Sequence, residues 1–319
     1  MPSPPGPALT CPSARTVLSP AGVAIPVAYP KPEVTGGTQP IALACTPPSD
    51  SRFPVGTTSV TCTARDGVAR MGSCNFTVTV TRPMQLSATR FVAFGDSITA
   101  GVLATSCPFG GGVMCSLATS GMTAAQRLRE LRLLIESEQS SAAYPRVLQS
   151  LLASRYPAQS IVVSNEGKSG ETVGEGKLRL PGVLTADVPQ VLLLQEGAND
   201  INQAHPPVDT IVANLRVMIR GARGRGITVI IGTLLPERQN ACRGYDYCDG
   251  VNDALAVSMR IRALAAEEGA FVVDLYAVFD GQTATLLGLD GLHPNEAGYA
   301  KMAETFYNAV REHLEVPSP

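Results

Sequence analysis

The chain has 319 residues, enough for two domains, and its 45% hydrophobic content supports a sizeable core. With 25 basic against 27 acidic residues the net charge is −2, which argues against nucleic acid or an anionic membrane surface as partner. No apolar run is long enough to span a bilayer, so no transmembrane segment is expected.

The start, Met1–Pro7, is Pro-rich and lacks a signal-peptide core. Eight cysteines follow in three local sets: Cys11, Cys45, Cys62 and Cys74; Cys107 and Cys115; Cys242 and Cys248. None forms a Cys-x-x-Cys pair or has a histidine at metal-ligand spacing, so no metal and no cofactor is expected. The even, grouped count fits disulfides and an oxidising compartment. The expectation is a secreted or otherwise extracytoplasmic protein, its signal peptide absent from this sequence.

Residues 8–82 read as all-β. Val60, Cys62 and Ala64 alternate with Ser59, Thr61 and Thr63, and Cys74, Phe76, Val78 and Val80 alternate with Asn75, Thr77 and Thr79. Turn signals lie between, at Pro47-Pro48-Ser49-Asp50, Pro54-Val55-Gly56 and Asp66-Gly67. Short strands with such turns suggest a small sandwich. Cys62 and Cys74 share the inward face of their strands, which suits core bridges. Four cysteines allow three connectivities, of which Cys11–Cys74 with Cys45–Cys62 is our expectation. Arg82-Pro83-Met84-Gln85-Leu86-Ser87 reads as a linker, which sets the domains at 1–83 and 84–319.

The runs Cys45-Thr46-Pro47-Pro48-Ser49, Phe53-Pro54-Val55-Gly56-Thr57-Thr58-Ser59-Val60-Thr61-Cys62-Thr63-Ala64-Arg65-Asp66 and Cys74-Asn75-Phe76-Thr77-Val78-Thr79-Val80 resemble a hyalin repeat (HYR) domain. The likeness departs after Asp66, where Gly67-Val68-Ala69-Arg70 replaces a usual Gly-Asn turn. It implies an immunoglobulin-like sandwich and an extracellular spacer or adhesion role. A surface, a glycan or a protein is then the candidate partner of this domain.

From Arg90 the texture changes to alternating strands and helices. Strand candidates are 91–95, 161–165, 191–196, 227–234 and 271–275; helix candidates are 143–154, 208–222, 252–268 and Pro294 to about Leu314. Pro294 is expected in the first turn of the last helix. Near-continuous apolar strands with helical crossovers predict a parallel sheet covered on both faces, with ligands beyond the strands' carboxyl ends.

Four motifs fall at such ends or late in the chain: Gly95-Asp96-Ser97-Ile98-Thr99, Ser169-Gly170-Glu171-Thr172, Gly197-Ala198-Asn199-Asp200 and Asp290-Gly291-Leu292-His293. Serine, histidine and aspartate are the parts of a nucleophilic hydrolase. Glycine amides and an asparagine side chain can form an oxyanion hole. Only three histidines exist, His205, His293 and His313. His293 alone has a carboxylate, Asp290, three residues away on the loop entering the last helix. Asp96 and Asp200 are expected to tie down turns.

Taken in order, these blocks resemble an SGNH hydrolase of the GDSL esterase/lipase family over residues 89–316. The resemblance implies a flavodoxin-like α/β/α three-layer fold and metal-independent hydrolysis. It assigns Ser97 as nucleophile, His293 as base, Asp290 as its orienter, and Ser97, Gly170 and Asn199 to the oxyanion hole. Here Ala100–Ala142 intervenes before Ala143-Tyr144-Pro145, with Cys107, Gly110-Gly111-Gly112, Cys115 and a helix expected at about 123–137. A second addition, Pro236–Asp249, carries Cys242, Tyr245, Tyr247 and Cys248. Bridges Cys107–Cys115 and Cys242–Cys248 are expected. Val113, Met114, Leu117, Tyr245 and Tyr247 are candidate substrate contacts, with Leu103 and Met122 beside them in an acyl-binding wall.

No Trp and 5% aromatics mildly disfavour a sugar cleft. The expectation is a secreted serine esterase for short to medium acyl chains, acting on small-molecule or polymer-borne esters. The alternatives are a polysaccharide O-acetylesterase, or an adhesion protein with an inactive hydrolase domain.

Overall fold

The structure is a computed structural model that describes residues 5–103, 140–238 and 253–318. Several expectations lie outside the described residues: Cys107–Cys115, Cys242–Cys248, the helix at 123–137, and the contacts Val113, Met114, Leu117, Met122, Tyr245 and Tyr247. The chain divides into two compact units, Met1–Gln85 with Val316–Pro319, and Leu86–Glu315.

The first unit is strand-rich, and no helix occurs among its described residues. Its strands are β1 (Ala8–Thr10), β2 (Arg15–Leu18), β3 (Ile25–Pro26), β4 (Glu33–Thr35), β5 (Ala42–Thr46), β6 (Arg52–Phe53), β7 (Gly56–Arg65) and β8 (Met71–Thr81). A four-stranded sheet runs β2-β8-β7-β5, and β1-β4 and β3-β6 are two-stranded. The period-two residues do face inward: Val60, Cys62, Phe76, Val78 and Val80 pack with Tyr29 and Phe53. Cys62 stands in register opposite both Cys45 and Cys74. The bridges are Cys45–Cys62 and Cys11–Cys74. Met84–Leu86 is a short strand, β9, where the sequence suggested linker.

The second unit holds a parallel sheet of β10 (Arg90–Gly95), β11 (Val162–Gly167), β12 (Val191–Gln195), β13 (Thr228–Gly232) and β14 (Phe271–Val273), in the order β11-β10-β12-β13-β14. Its helices are α1 (Ser97–Ala100), α2 (Tyr144–Arg155), α3 (Val173–Asp187), α4 (Val208–Arg223), α5 (Asp253–Glu268), α6 (Leu275–Phe279), α7 (Thr283–Leu286) and α8 (Glu296–Leu314). Alternate strand residues point to opposite faces. Phe91, Ala93, Leu193 and Ile230 meet Tyr144 and Leu148 of α2 and Met302 and Phe306 of α8. Val92, Phe94, Leu192, Leu194 and Ile231 meet Leu180 of α3, Leu215 of α4 and Ile261 of α5. The sheet is thus the middle of three layers.

Two local expectations need correction. Pro294 lies before the last helix, bridging Leu287, and Asn295 is the N-cap, its side chain accepting from Gly298 N at 2.9 Å. The last strand stops at Val273 because Asp274 caps α6. Leu103, the described member of the expected acyl wall, packs half-buried against the α2/α8 core, which leaves that expectation untested. No expected helix covers α3, whose Gly174, Gly176, Pro181 and Gly182 lower helix propensity. A signal for it was present: Thr172-Val173-Gly174-Glu175 is a capping-box sequence, and the Glu175 carboxylate accepts from the Thr172 N–H at 3.0 Å. No helix among the described residues is long and apolar enough to cross a membrane.

Phe306 is fully buried and stacks on Tyr144 at 5.0 Å between ring centroids. Phe306→Ala should therefore destabilise the second unit by about 3–5 kcal/mol, read as a lower urea midpoint. A midpoint unchanged from the parent would mean that this layer of the core is not what holds α8.

Candidate active site

The site is built where parallel strands end together. Gly95 of β10 lies in register with Gly167 of β11 and with Gln195 of β12. A Cβ on Gly95 would stand 1.9 Å from the Gln195 carbonyl oxygen and 2.4 Å from Thr99 Oγ1, so only glycine fits this crossing. Asp96 then caps α1, its Oδ1 accepting from Ile98 N at 2.9 Å. This sharp turn leaves Ser97 at the first helical position. Gly101 ends the helix at φ 97°, its N–H donating to Ser97 O at 3.0 Å.

Ser97 Oγ and His293 Nε2 are 2.7 Å apart, and His293 Nδ1 is 2.5 Å from Asp290 Oδ2. Asp290 Oδ1 accepts from the Leu292 and His293 amides, each at 3.0 Å. Burial opposes ionisation of Asp290. The hydrogen bond and charge of His293, with those two amides, outweigh it and hold the carboxyl below its ordinary range. An ionised carboxylate can only accept, so Nδ1 carries the ring proton and Nε2 accepts from the Ser97 hydroxyl. The other histidines stand elsewhere. His205 is exposed at the end of the π-helical turn Asp200–Ala204, and His313 stacks on Phe271.

Gly170 has φ 78°, and open space surrounds the position of a Cβ there. Among the described residues, neither the Ser97 nor the Gly170 N–H donates to a protein acceptor. The Asn199 amide is fixed at both ends: Nδ2 donates to Glu171 O at 2.9 Å, and Oδ1 accepts from Gln203 Nε2 at 2.7 Å. One Asn199 N–H remains. Asp96 does tie down its own turn, whereas Asp200 ties a neighbouring loop, its Oδ2 accepting from Val173 N at 2.9 Å. Among the described residues no group of three or more His, Cys, Asp or Glu is arranged to hold a metal ion.

A layer of buried carboxyls that sequence reasoning did not single out underlies these loops. Burial pushes Asp96 up to about 6. Glu196 is 1% exposed, neither oxygen has a partner among the described residues, and Gly176 leaves it room that a Cβ would occupy within 2.5 Å. Burial first, then the charges of Asp96 and Glu171, push Glu196 up to about 10. Glu171 is fully buried beneath Gly170 and paired with Arg179. Nothing in the local pattern at Glu196 announces its burial. It follows an apolar strand, however, and that position is commonly interior in a parallel sheet.

Glu196 therefore keeps its proton in the folded chain and releases it on unfolding. Stability from the protonated form is full below the unfolded carboxyl range and falls as pH rises towards 10. Glutamine needs no proton. The melting temperature of Glu196→Gln minus that of the parent should accordingly become more positive from about pH 5 to about pH 9. A difference that stays flat or falls over this range would mean that Glu196 is ionised in the native state.

The GDSL-like Lipase/Acylhydrolase family matches residues 93–301 of the chain, and the HYR domain matches residues 4–80. An arylesterase of Vibrio mimicus is 26% identical over 199 residues, covering 60% of this chain and 94% of that protein. Esterase TesA of Pseudomonas aeruginosa is 27% identical over 173 residues, covering 54% and 80% respectively. In fold, the second unit is similar to the crystal structure of a lipase/acylhydrolase from Enterococcus faecalis. The TM-score is 0.52 at 22% identity, over 72% of this chain and 99% of that one.

Proposed function

The chain belongs to the GDSL-like lipase/acylhydrolase family and is a carboxylic ester hydrolase, and on that premise we propose that it works through an acyl-enzyme on Ser97. The observation that carries this reading is the continuous hydrogen-bonded chain Ser97–His293–Asp290. As Ser97 Oγ attacks the ester carbonyl carbon, its proton passes to His293 Nε2. The carbonyl oxygen becomes an oxyanion received by the Ser97 and Gly170 amides and the remaining Asn199 N–H. The C–O bond to the alcohol then breaks, and His293 protonates the departing oxygen. Water enters, gives a proton to His293 and attacks the acyl carbon. Ser97 leaves with that proton, releasing the acid. Asp290 holds the tautomer and stabilises the imidazolium.

The substrates in this reading are esters of short to medium acyl chains, small or polymer-borne. The strand-rich first unit, an HYR domain by its family match, is read as an immunoglobulin-like spacer or targeting module. Its two disulfides support an extracytoplasmic location.

Ser97→Ala should abolish turnover of p-nitrophenyl acetate with the fold intact, and His293→Ala should do nearly the same because the members of such a unit act together. His205→Ala should retain most of the activity. A His205 variant as inactive as the His293 variant would move the base to His205. Catalytic efficiency measured on esters from two to ten acyl carbons tests the chain-length preference.

Residues 84–319 alone should hydrolyse small soluble esters at a rate close to that of the full chain, since they include all four motifs. Turnover lost on these simple esters would make the first unit part of the cleft. Loss confined to polymer-borne esters would support the targeting role.

A further inference from the structure

Resting on the hydrolytic reading above, we infer that Arg179 and Glu171 act as a clamp that positions the oxyanion donors. Arg179 lies on α3, outside all four motifs. Its Nε is 2.8 Å from Glu171 Oε1 and 2.9 Å from Oε2, and Nη2 is 2.5 Å from Oε2, a fork-to-carboxylate pairing. The Glu171 carboxylate is fully buried and the Arg179 side chain is 23% exposed. Lys168 Nζ adds a longer contact to Glu171 Oε1 at 3.3 Å.

Three connections make this more than an ion pair at the start of a helix. Glu171 directly follows Gly170, and its own N–H donates to Lys168 O at 3.2 Å, so fixing its side chain anchors the turn that carries the Gly170 N–H. The Glu171 carbonyl accepts from Asn199 Nδ2, so the same residue sets which Asn199 hydrogen is left for a substrate. The Arg179 guanidinium also lies 4.0 Å from the centroid of Phe94 in β10 and donates from Nη2 to Glu166 O of β11 at 2.9 Å. One planar cation therefore ties the strand leading to Ser97, the strand leading to Gly170, and through Glu171 the loop of Asn199. Lysine offers no equivalent fork. Among the described residues, Glu166 and Glu196 are the other carboxyls that face Arg179. Glu196 makes no hydrogen bond to it among the described residues. Arg179 and Glu171 are positioning residues: Glu171 holds Asn199 through its carbonyl, and Arg179 acts through Glu171.

The test uses the full chain and p-nitrophenyl acetate, with active sites counted by the acyl-enzyme burst. Arg179→Met, Arg179→Lys and Glu171→Gln should each lower kcat per active site by roughly 10- to 100-fold with KM changed by no more than about twofold. Inhibition by phenylboronic acid, whose tetrahedral adduct on a serine puts an oxygen where the oxyanion would sit, should weaken by a similar factor. The double variant Glu171→Gln/Arg179→Met carries no unpaired buried charge and should lose little more than the worse single variant. A normal kcat per active site, with only the burst amplitude or the urea midpoint reduced, would overturn the clamp and leave a purely structural ion pair. Additive losses in the double variant would also overturn it. Undiminished hydrolysis by Ser97→Ala is the separate result that would defeat the hydrolytic reading itself.

Discussion

Everything at the site depends on the close passage of β10 between β11 and β12. The Gly95 position touches the Gln195 carbonyl, and a Cβ on Gly167 would meet Ala100 N at 2.0 Å. These two contacts draw the ends of three strands to one level, so the loops after them begin together. Ser97, Gly170 and Asn199 are distant in sequence but leave adjacent strands of one sheet. A parallel sheet gathers its loops in this way because every strand points in the same direction. Widening the passage by one methyl group would separate the loops before it altered any side chain with a chemical role.

The hydrogen-bonded chain to Ser97 has a short-range and a long-range link, and they have different origins. Asp290 and His293 meet within one turn, and the carboxylate that orients the ring also accepts from the backbone of that turn. Such an arrangement needs few neighbours. The link from His293 to Ser97 spans 196 residues and depends on where α8 packs. Tyr299 stabilises that packing a second time. It is fully buried, and its hydroxyl donates to Val102 O at 2.7 Å, joining the helix after His293 to the segment after Ser97. A buried hydroxyl that lost this acceptor would cost about 1–3 kcal/mol, so the joint resists loosening.

The parts legible in the sequence share one property: their signal is local. Apolar runs marked the five strands of the sheet and amphipathic spacing marked α8, because periodicity reports burial directly, while α2, α4 and α5 were placed as the segments between strands. The Asp290–His293 spacing was readable for the same reason. The α3 helix had only its capping-box sequence as a local signal, since Gly176 and Pro181 depress propensity while tertiary contact supports the helix; a Cβ at Gly176 would meet the Glu196 carboxylate. The pairing of Cys45 with Cys62 was an expectation among three, because Cys62 faces both Cys45 and Cys74 across the sheet and strand patterning cannot choose between neighbours. Arg179 gave no sign at all. An arginine in mid-helix looks like any solvated charge until the fold brings a buried carboxylate beneath it.

That buried carboxylate also explains how charge is arranged under the site. The charges of Asp96 and Glu171 act on Glu196 in a buried region, and Arg179 and Lys168 are both within hydrogen-bonding reach of Glu171, Arg179 at the shorter distances. In a low-dielectric interior the cation is most effective where it meets a carboxylate face to face, and here that partner is Glu171. Glu196, without such a partner among the described residues, lowers its energy by keeping a proton, which removes a negative charge from beside Asp96. The outcome suits the chemistry proposed above. An oxyanion forming near Gly170 and Asn199 would be opposed by any uncompensated carboxylate below it. In that proposed chemistry, pairing one acid and protonating another would leave the field of the proposed donors directed at the substrate, while an ionised Asp290 on the far side of His293 would stabilise the imidazolium.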